Sequence, residues 1–226
     1  MNPKQLAAEA ALPLVQSGMV VGLGTGSTAD FFLKALGDSI HAGKLNDIRG
    51  VPTSVQSDRR ARELGIPLAT LAQCPRPDLT VDGADEIDPN LVLIKGLGGA
   101  LLREKIVAQA STKLIIIVDG SKAVSALGSK SPLPVEVAPF AYETHAAFLR
   151  SLGSTPVLRR NVDGNPFITD NGNYIYDCRF TTIADPVALQ KKLKERAGIV
   201  ESGLFIGLAT MAFIATDSGV KTLKKN

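Results

Sequence analysis

Residues 113–119 read KLIIIVD. Leu114 to Val118 are apolar without interruption, and Ile115 to Val118 are all β-branched, which favours a strand over a helix. A strand apolar at every position is buried on both faces. The fold that buries a strand in this way is a mostly parallel sheet covered by helices. The segments before it fit that frame. Strand-like runs at 20–23, 48–52, 67–71, 79–81 and 91–94 alternate with helix-like stretches at 4–16, 29–41, 54–64 and 99–110. Gly18 and Gly65 stand where helices should end. Ser27 or Thr28 should cap the second helix and Ser54 the third.

The texture changes after Lys130. SPLPVEVAPF is Pro-rich and alternates like an edge strand. A helix over 142–151, strands over 156–160, 167–169 and 174–179, a turn at Asp170-Asn171-Gly172-Asn173 and a helix over 186–197 follow, with a strand near Ile199. That order suits a ferredoxin-like α+β module. The apolar stretch 208–215 then rejoins the first sheet. The expected architecture is a Rossmann-like, mostly parallel sheet with helices on both faces (1–130 and 206–226), plus a smaller ferredoxin-like domain (131–205).

Composition removes several function classes. The net charge of +3, from 25 basic and 22 acidic residues, is too mild to argue for nucleic acid. The basic group Lys221, Lys224 and Lys225 reads as a solvated terminus. No run of about 18 apolar residues offers a membrane span, and the N-terminus is a poor signal peptide. Cys74 and Cys178 have no paired spacing, which points away from disulfides and zinc and towards a reducing cytoplasm. With only His41 and His145 present, acid–base chemistry should fall to carboxylates and lysines. His145 reads as a surface or packing residue, and both cysteines as buried hydrophobes rather than nucleophiles.

Three loops carry the chemistry. GLGTGST (22–28) follows a strand and opens a helix, where backbone N–H groups and the helix dipole favour an anion. Ser27 stands where a dinucleotide fingerprint wants its third glycine, and no P-loop lysine follows. The hydroxyls of Thr25, Ser27 and Thr28 suit direct bonds to a compact polar ligand. VDGADEID (81–88) gathers Asp82, Asp85, Glu86 and Asp88, whose crowding should raise some of their pKa values. KGLGGALLREKIVAQA (95–110) sets Lys95 before glycines and a helix. On a helical wheel Lys105 and Gln109 share the natural solvent side, and Glu104 falls among small and apolar neighbours, a candidate base. All three loops are expected at the C-terminal ends of parallel strands, where open α/β sheets bind ligands. Gly120-Ser121-Lys122 adds a cation at the same edge.

GLGTGSTA, TSVQS, VDGADEID, KGLGGALLREKIVA, VDGSK, PLPVEV and VESGLFIG, in this order, resemble the type A ribose-5-phosphate isomerases over essentially the whole chain. The resemblance implies a metal-free, cofactor-free enzyme of the non-oxidative pentose phosphate pathway, usually a homodimer or homotetramer. It implies a substrate site made of Thr25, Gly26, Ser27, Thr28, Asp82, Gly83, Ala84, Asp85, Lys95, Gly96, Leu97 and Gly98. Glu104 matches the proton-transferring glutamate, Lys122 a substrate-binding lysine, and Lys4 a phosphate-contacting lysine. Leu97 interrupts the family's run of glycines. Its backbone N–H alone, or its side chain, would then face the ligand.

The residue types fit aldose–ketose isomerisation, in which one base moves a proton between adjacent carbons through a cis-enediolate. Lys95 is the natural electrophile for the developing oxyanion. Asp82 is the candidate for opening the furanose ring, and Asp85 for orienting Lys95 or a substrate hydroxyl. Two seats stay open for the phosphate: GLGTGST itself, or the lysines at 4 and 122. Rival readings are a sugar-phosphate sensor without catalysis, a CoA transferase and a dinucleotide oxidoreductase. Binding without turnover would favour the sensor.

Overall fold

A computed structural model describes residues 2–225. In chain order the first half runs α1 (Pro3–Ala11), β1 (Val20–Leu23), α2 (Ser27–His41), β2 (Arg49–Pro52), α3 (Val55–Glu63), β3 (Leu79–Asp82), β4 (Glu86–Ile87), β5 (Leu93–Ile94), α4 (Leu101–Ala110) and β6 (Leu114–Asp119). The second half runs β7 (Leu133–Val137), α5 (Thr144–Ser151), β8 (Thr155–Leu158), β9 (Tyr174–Arg179), α6 (Pro186–Lys194), β10 (Ile199–Ser202), β11 (Leu204–Phe205), β12 (Ala209–Thr216) and β13 (Gly219–Lys224). By density of internal contact the chain divides into two units, each described by itself. The first comprises 1–84, 103–123 and 207–226; the second comprises 85–102 and 124–206.

The first unit is built on a six-stranded sheet of order β13-β12-β6-β3-β1-β2. All its pairs are parallel except β12 with β13. KLIIIVD supplies β6, between β3 and β12, with Leu114 to Val118 at most 1% exposed. Val21, Leu23, Val81, Ile115 and Ile117 face the buried residues of α1 and α2, among them Ala7, Ala11, Phe32, Leu33 and Leu36. On the other face α4 comes close. A Cβ at Gly22 would overlap Thr80 and touch Val107 of α4, so only glycine fits there.

Lys221, Lys224 and Lys225 are exposed, as expected of a solvated terminus. Lys221 and Lys224 lie on β13, an edge strand paired with β12 from Met211 to Thr216. Charged edge residues of this kind discourage further strand pairing. The stretch 67–71 is no full strand. Only Leu68 bridges to Gly50, because Gly50 supplies the single donor–acceptor pair, to Pro67 O and from Ala69 N.

The second unit holds a four-stranded antiparallel sheet of order β10-β7-β9-β8. With α5 and α6 this is the ferredoxin-like arrangement. Its core joins Leu133, Val135, Val137, Tyr176 and Cys178 to Leu149, Leu189 and Leu193. SPLPVEV is not an edge here, since β7 lies between β10 and β9. Pro134 is tolerated because its carbonyl, and hence its nitrogen, turns to the β10 side, where Gly203 N donates to Pro134 O at 2.7 Å. The β10 ladder begins only at Val135, so no N–H is demanded of the proline. Segment 167–169 is not a strand either. The Thr169 hydroxyl donates to the buried Glu136 instead, at 2.9 Å.

The strand expected at 91–94 appears as β5, in a small antiparallel sheet of order β11-β5-β4. Only a short loop separates β4 from β5, and a short loop permits antiparallel pairing alone. The loop carrying Lys95 therefore does not follow a strand of the parallel sheet, in contrast to the sequence expectation.

Candidate active site

In the first unit, three loops leave the C-terminal ends of the parallel strands β1, β3 and β6. The β1 loop passes so close to Asp82 that a Cβ at Gly24 would sit 2.4 Å from Asp82 Oδ1. Gly24 N donates to Val81 O, and Thr25 N donates to Asp82 Oδ1 at 3.0 Å. Gly83 N donates to the same oxygen at 2.8 Å. Asp82 is 1% exposed. Ala84 completes the first unit's share of this turn.

The cap of α2 is Gly26, at φ +102°, and no side chain caps the helix. The expectation that Ser27 or Thr28 would do so is corrected: both lie inside the first turn. Ser27 Oγ instead accepts from Lys4 Nζ at 2.8 Å. Lys4 reaches there from α1, whose own cap is Asn2. After β6, Asp119 accepts from Ser121 N at 2.9 Å and from the Ser121 hydroxyl. Burial would push the Asp119 carboxyl up. The Ser121 bonds, with the charges of Lys122 and Lys4, outweigh it and hold the carboxyl below its ordinary range. Lys4, Ser27, Asp119 and Lys122 are thereby gathered at one end of one sheet.

Glu104 projects inward from α4 at 4% exposure. Lys105 is buried as well, at 2%, while Ile106 is exposed. The wheel reading of Lys105 as solvent-facing is thus corrected. Apolar residues occupy every side of α4, so no stripe marks its inner face.

In the second unit, Asp85 Oδ2 accepts from Leu97 N at 2.9 Å. The Leu97 side chain is 41% exposed, so residue 97 contributes to its loop through the amide, and the glycine run is interrupted without cost to that bond. Lys95 is 3% exposed, with Nζ 5.6 Å from the centre of the Phe205 ring. Its N–H donates to Gly203 O. Gly96 adopts φ +105°, and a Cβ there would press into Leu101. Gly98 lies exposed in the following turn.

The acidic residues of VDGADEID do not share one environment. Glu86 turns away and accepts from the backbone N–H groups of Gly128, Lys130 and Ser131. Asp88 accepts from Asn90 N and Val92 N. Among the described residues no group of three or more His, Cys, Asp or Glu side chains is placed to share a metal ion.

Sequence reasoning missed Arg159. Its guanidinium forks onto Asp177 at 2.5 and 2.9 Å and donates to the carbonyls of Gly96 and Leu97, both at 3.1 Å. It thereby holds the loop after Lys95. Its position just after β8, 62 residues on from Leu97, left no local signal.

The model of the family described as ribose 5-phosphate isomerase A (phosphoriboisomerase A) matches residues 49–219. The chain belongs to this family. It is 54% identical over 224 residues to ribose-5-phosphate isomerase A of Synechococcus sp. (strain JA-3-3Ab), covering 99% of this chain and 97% of that one. A solved D-ribose-5-phosphate isomerase in complex with phospho-erythronic acid superposes with a TM-score of 0.96 at 42% identity, covering 99% of this chain and 100% of that one. The ribose 5-phosphate isomerase A of Methanocaldococcus jannaschii gives 0.93 at 42% identity, covering 99% and 98%.

Proposed function

We propose that the chain interconverts ribose 5-phosphate and ribulose 5-phosphate, with Glu104 as the base. In the forward direction Glu104 takes the proton from C2 of the open-chain aldose and returns it to C1 of the cis-enediolate. The observation that carries this reading is a carboxylate on α4, 4% exposed, at the position of the family's motif. Burial strengthens electrostatic stabilisation, and Lys95, 3% exposed, has an amine suited to the enediolate oxygen. Asp82, oriented by two backbone N–H groups, is suited to opening the furanose ring. Asp85, spent on Leu97 N, is suited to fixing the Lys95 loop.

For the phosphate we favour Lys4, Lys122 and the uncapped start of α2. The Lys4–Ser27 bond and the pull of both lysines on Asp119 support this choice. The phospho-erythronic acid of the solved relative is itself a phosphate joined to a planar carboxylate, which has the shape of an enediolate. No helix among the described residues is long and apolar enough to cross a membrane. Residence in the cytoplasm, no nucleic-acid partner and assembly as a dimer or tetramer complete the proposal. Exposed Phe140 and Val162 in the second unit are consistent with assembly, which light scattering of the purified protein would check.

The deciding assay follows ribulose 5-phosphate formation in EDTA for wild type and Glu104→Gln. Turnover in the wild type and a loss of at least about 100-fold in the variant are expected for removal of a general base. Binding of ribose 5-phosphate without wild-type turnover would instead make the chain a sensor.

A further inference from the structure

Beneath the β1 loop lies a buried network of hydroxyls. Thr25, Thr53, Ser54 and Ser57 are all at most 9% exposed. Thr53 Oγ1 donates to Leu23 O at 2.8 Å. Ser54 Oγ donates to Ser57 Oγ at 3.1 Å, and Ser57 Oγ donates to Ser54 O at 3.2 Å. The protons of these three hydroxyls are therefore committed. Thr25 Oγ1 lies 2.9 Å from Thr53 Oγ1 and 2.7 Å from Ser54 Oγ. With the protons of Thr53 and Ser54 already given to Leu23 O and Ser57 Oγ, the single proton of Thr25 lies between these two oxygens as a three-centre bond. A hydroxyl carries one proton, so Thr25 has none to offer a ligand.

Burying hydroxyls is costly unless they are paired, and valine or alanine would fill this space without the expense. Ser54 and Ser57 have a local reason to be there, since they form the capping box of α3. Thr53 has none. Its side chain serves only Leu23 O and Thr25, the two ends of the turn over Gly24. What that turn presents is the Thr25 N–H, which donates to Asp82 Oδ1.

We infer that Thr53, seconded by Ser54 and Ser57, is a positioning residue for Asp82. It locks the Thr25 hydroxyl inward, which fixes the Thr25 amide against the carboxylate. The inference rests on the reading of Asp82 as the ring-opening group. It predicts that Thr53 matters for cyclic substrate and little for proton transfer.

Two assays separate these steps. Consumption of ribose 5-phosphate requires ring opening. Wash-in of deuterium from solvent into C1 of ribulose 5-phosphate does not, because that ketose has no furanose form and needs only the base. Thr53→Val should lower the ratio of consumption to wash-in by about tenfold, the worth of one buried hydrogen bond. Thr53→Ser should restore it to within about twofold. A purely structural role would reduce both rates together through the folded fraction. An unchanged ratio in Thr53→Val overturns the inference, whatever the absolute rates. Should valine prevent folding, Thr53→Ala, which cannot clash, carries the same test. Failure of the isomerase reading itself is distinguishable, because the wild type would then show neither reaction.

Discussion

Asp82 is held by geometry that a sequence cannot display. One of its oxygens accepts from Thr25 N and Gly83 N, and the neighbouring glycine at 24 is there because nothing larger fits against that carboxylate. The motif makes Asp82 and Asp85 candidates but does not say which backbone groups hold either of them. Their separate backbone donors distinguish them. A carboxylate aimed by two amides can exchange a proton with the ring oxygen or the anomeric hydroxyl of a furanose, whereas the carboxamide of asparagine cannot. Asp82→Asn should therefore lose about 100-fold or more in ribose 5-phosphate consumption, the scale of acid–base catalysis. Its C1 deuterium wash-in from ribulose 5-phosphate should fall far less. Equal losses in the two assays would remove Asp82 from ring opening and leave it as a general support of the site. Residue types and motif spacing made Glu104, Lys95 and Lys122 legible. The inward turn of the Thr25 hydroxyl was not legible, because it depends on where Thr53 lands.

At the scale of elements, long periodic segments were readable and short ones were not. The first-unit strands β1, β3, β6 and β12 and the helices α2, α3 and α4 lie close to where apolar runs and caps put them. The errors fall where one or two hydrogen bonds decide the outcome. Leu68 makes a bridge rather than a strand, β5 pairs antiparallel across a short loop, and Pro134 sits in an inner strand because its neighbour's ladder starts one residue later. The loop after Lys95 depends on similar long-range bonds. Arg159 closes it from the segment just after β8, with a fork to Asp177 and two bonds to loop carbonyls. Lysine carries the charge but not the planar fork. Arg159→Lys should thus keep the fold yet loosen the loop, lowering kcat/KM by about tenfold, the order of one lost charge-assisted bond. Steady-state kinetics beside a thermal melt would check this. A variant with wild-type kcat/KM would reduce Arg159 to a surface contact.

The whole molecule responds to acid through groups to which no motif assigns a titrating role. His145 on α5 is 3% exposed, and its Nδ1 has no hydrogen-bond partner among the described residues. Burial first, and the Arg196 charge second, push its pKa below the ordinary 6.5. The folded chain then binds a proton at this site less readily than the unfolded chain. Stability from this group is complete above the unfolded value and is lost as pH falls through it towards the folded one. Asp119 in the first unit is also held below its ordinary value, 3.8, and its contribution is lost only in stronger acid, as pH falls below that value. The two groups therefore act in different pH ranges and in different units. Urea midpoints for wild type and His145→Phe, taken at about pH 7.5 and 5.5 on either side of the histidine range, isolate the first of them. Phenylalanine cannot take the proton, so the wild type should lose more stability over this interval than the variant. Parallel losses would mean that His145 stays neutral in both states, or is protonated in both, and that acid sensitivity above pH 5 has another origin.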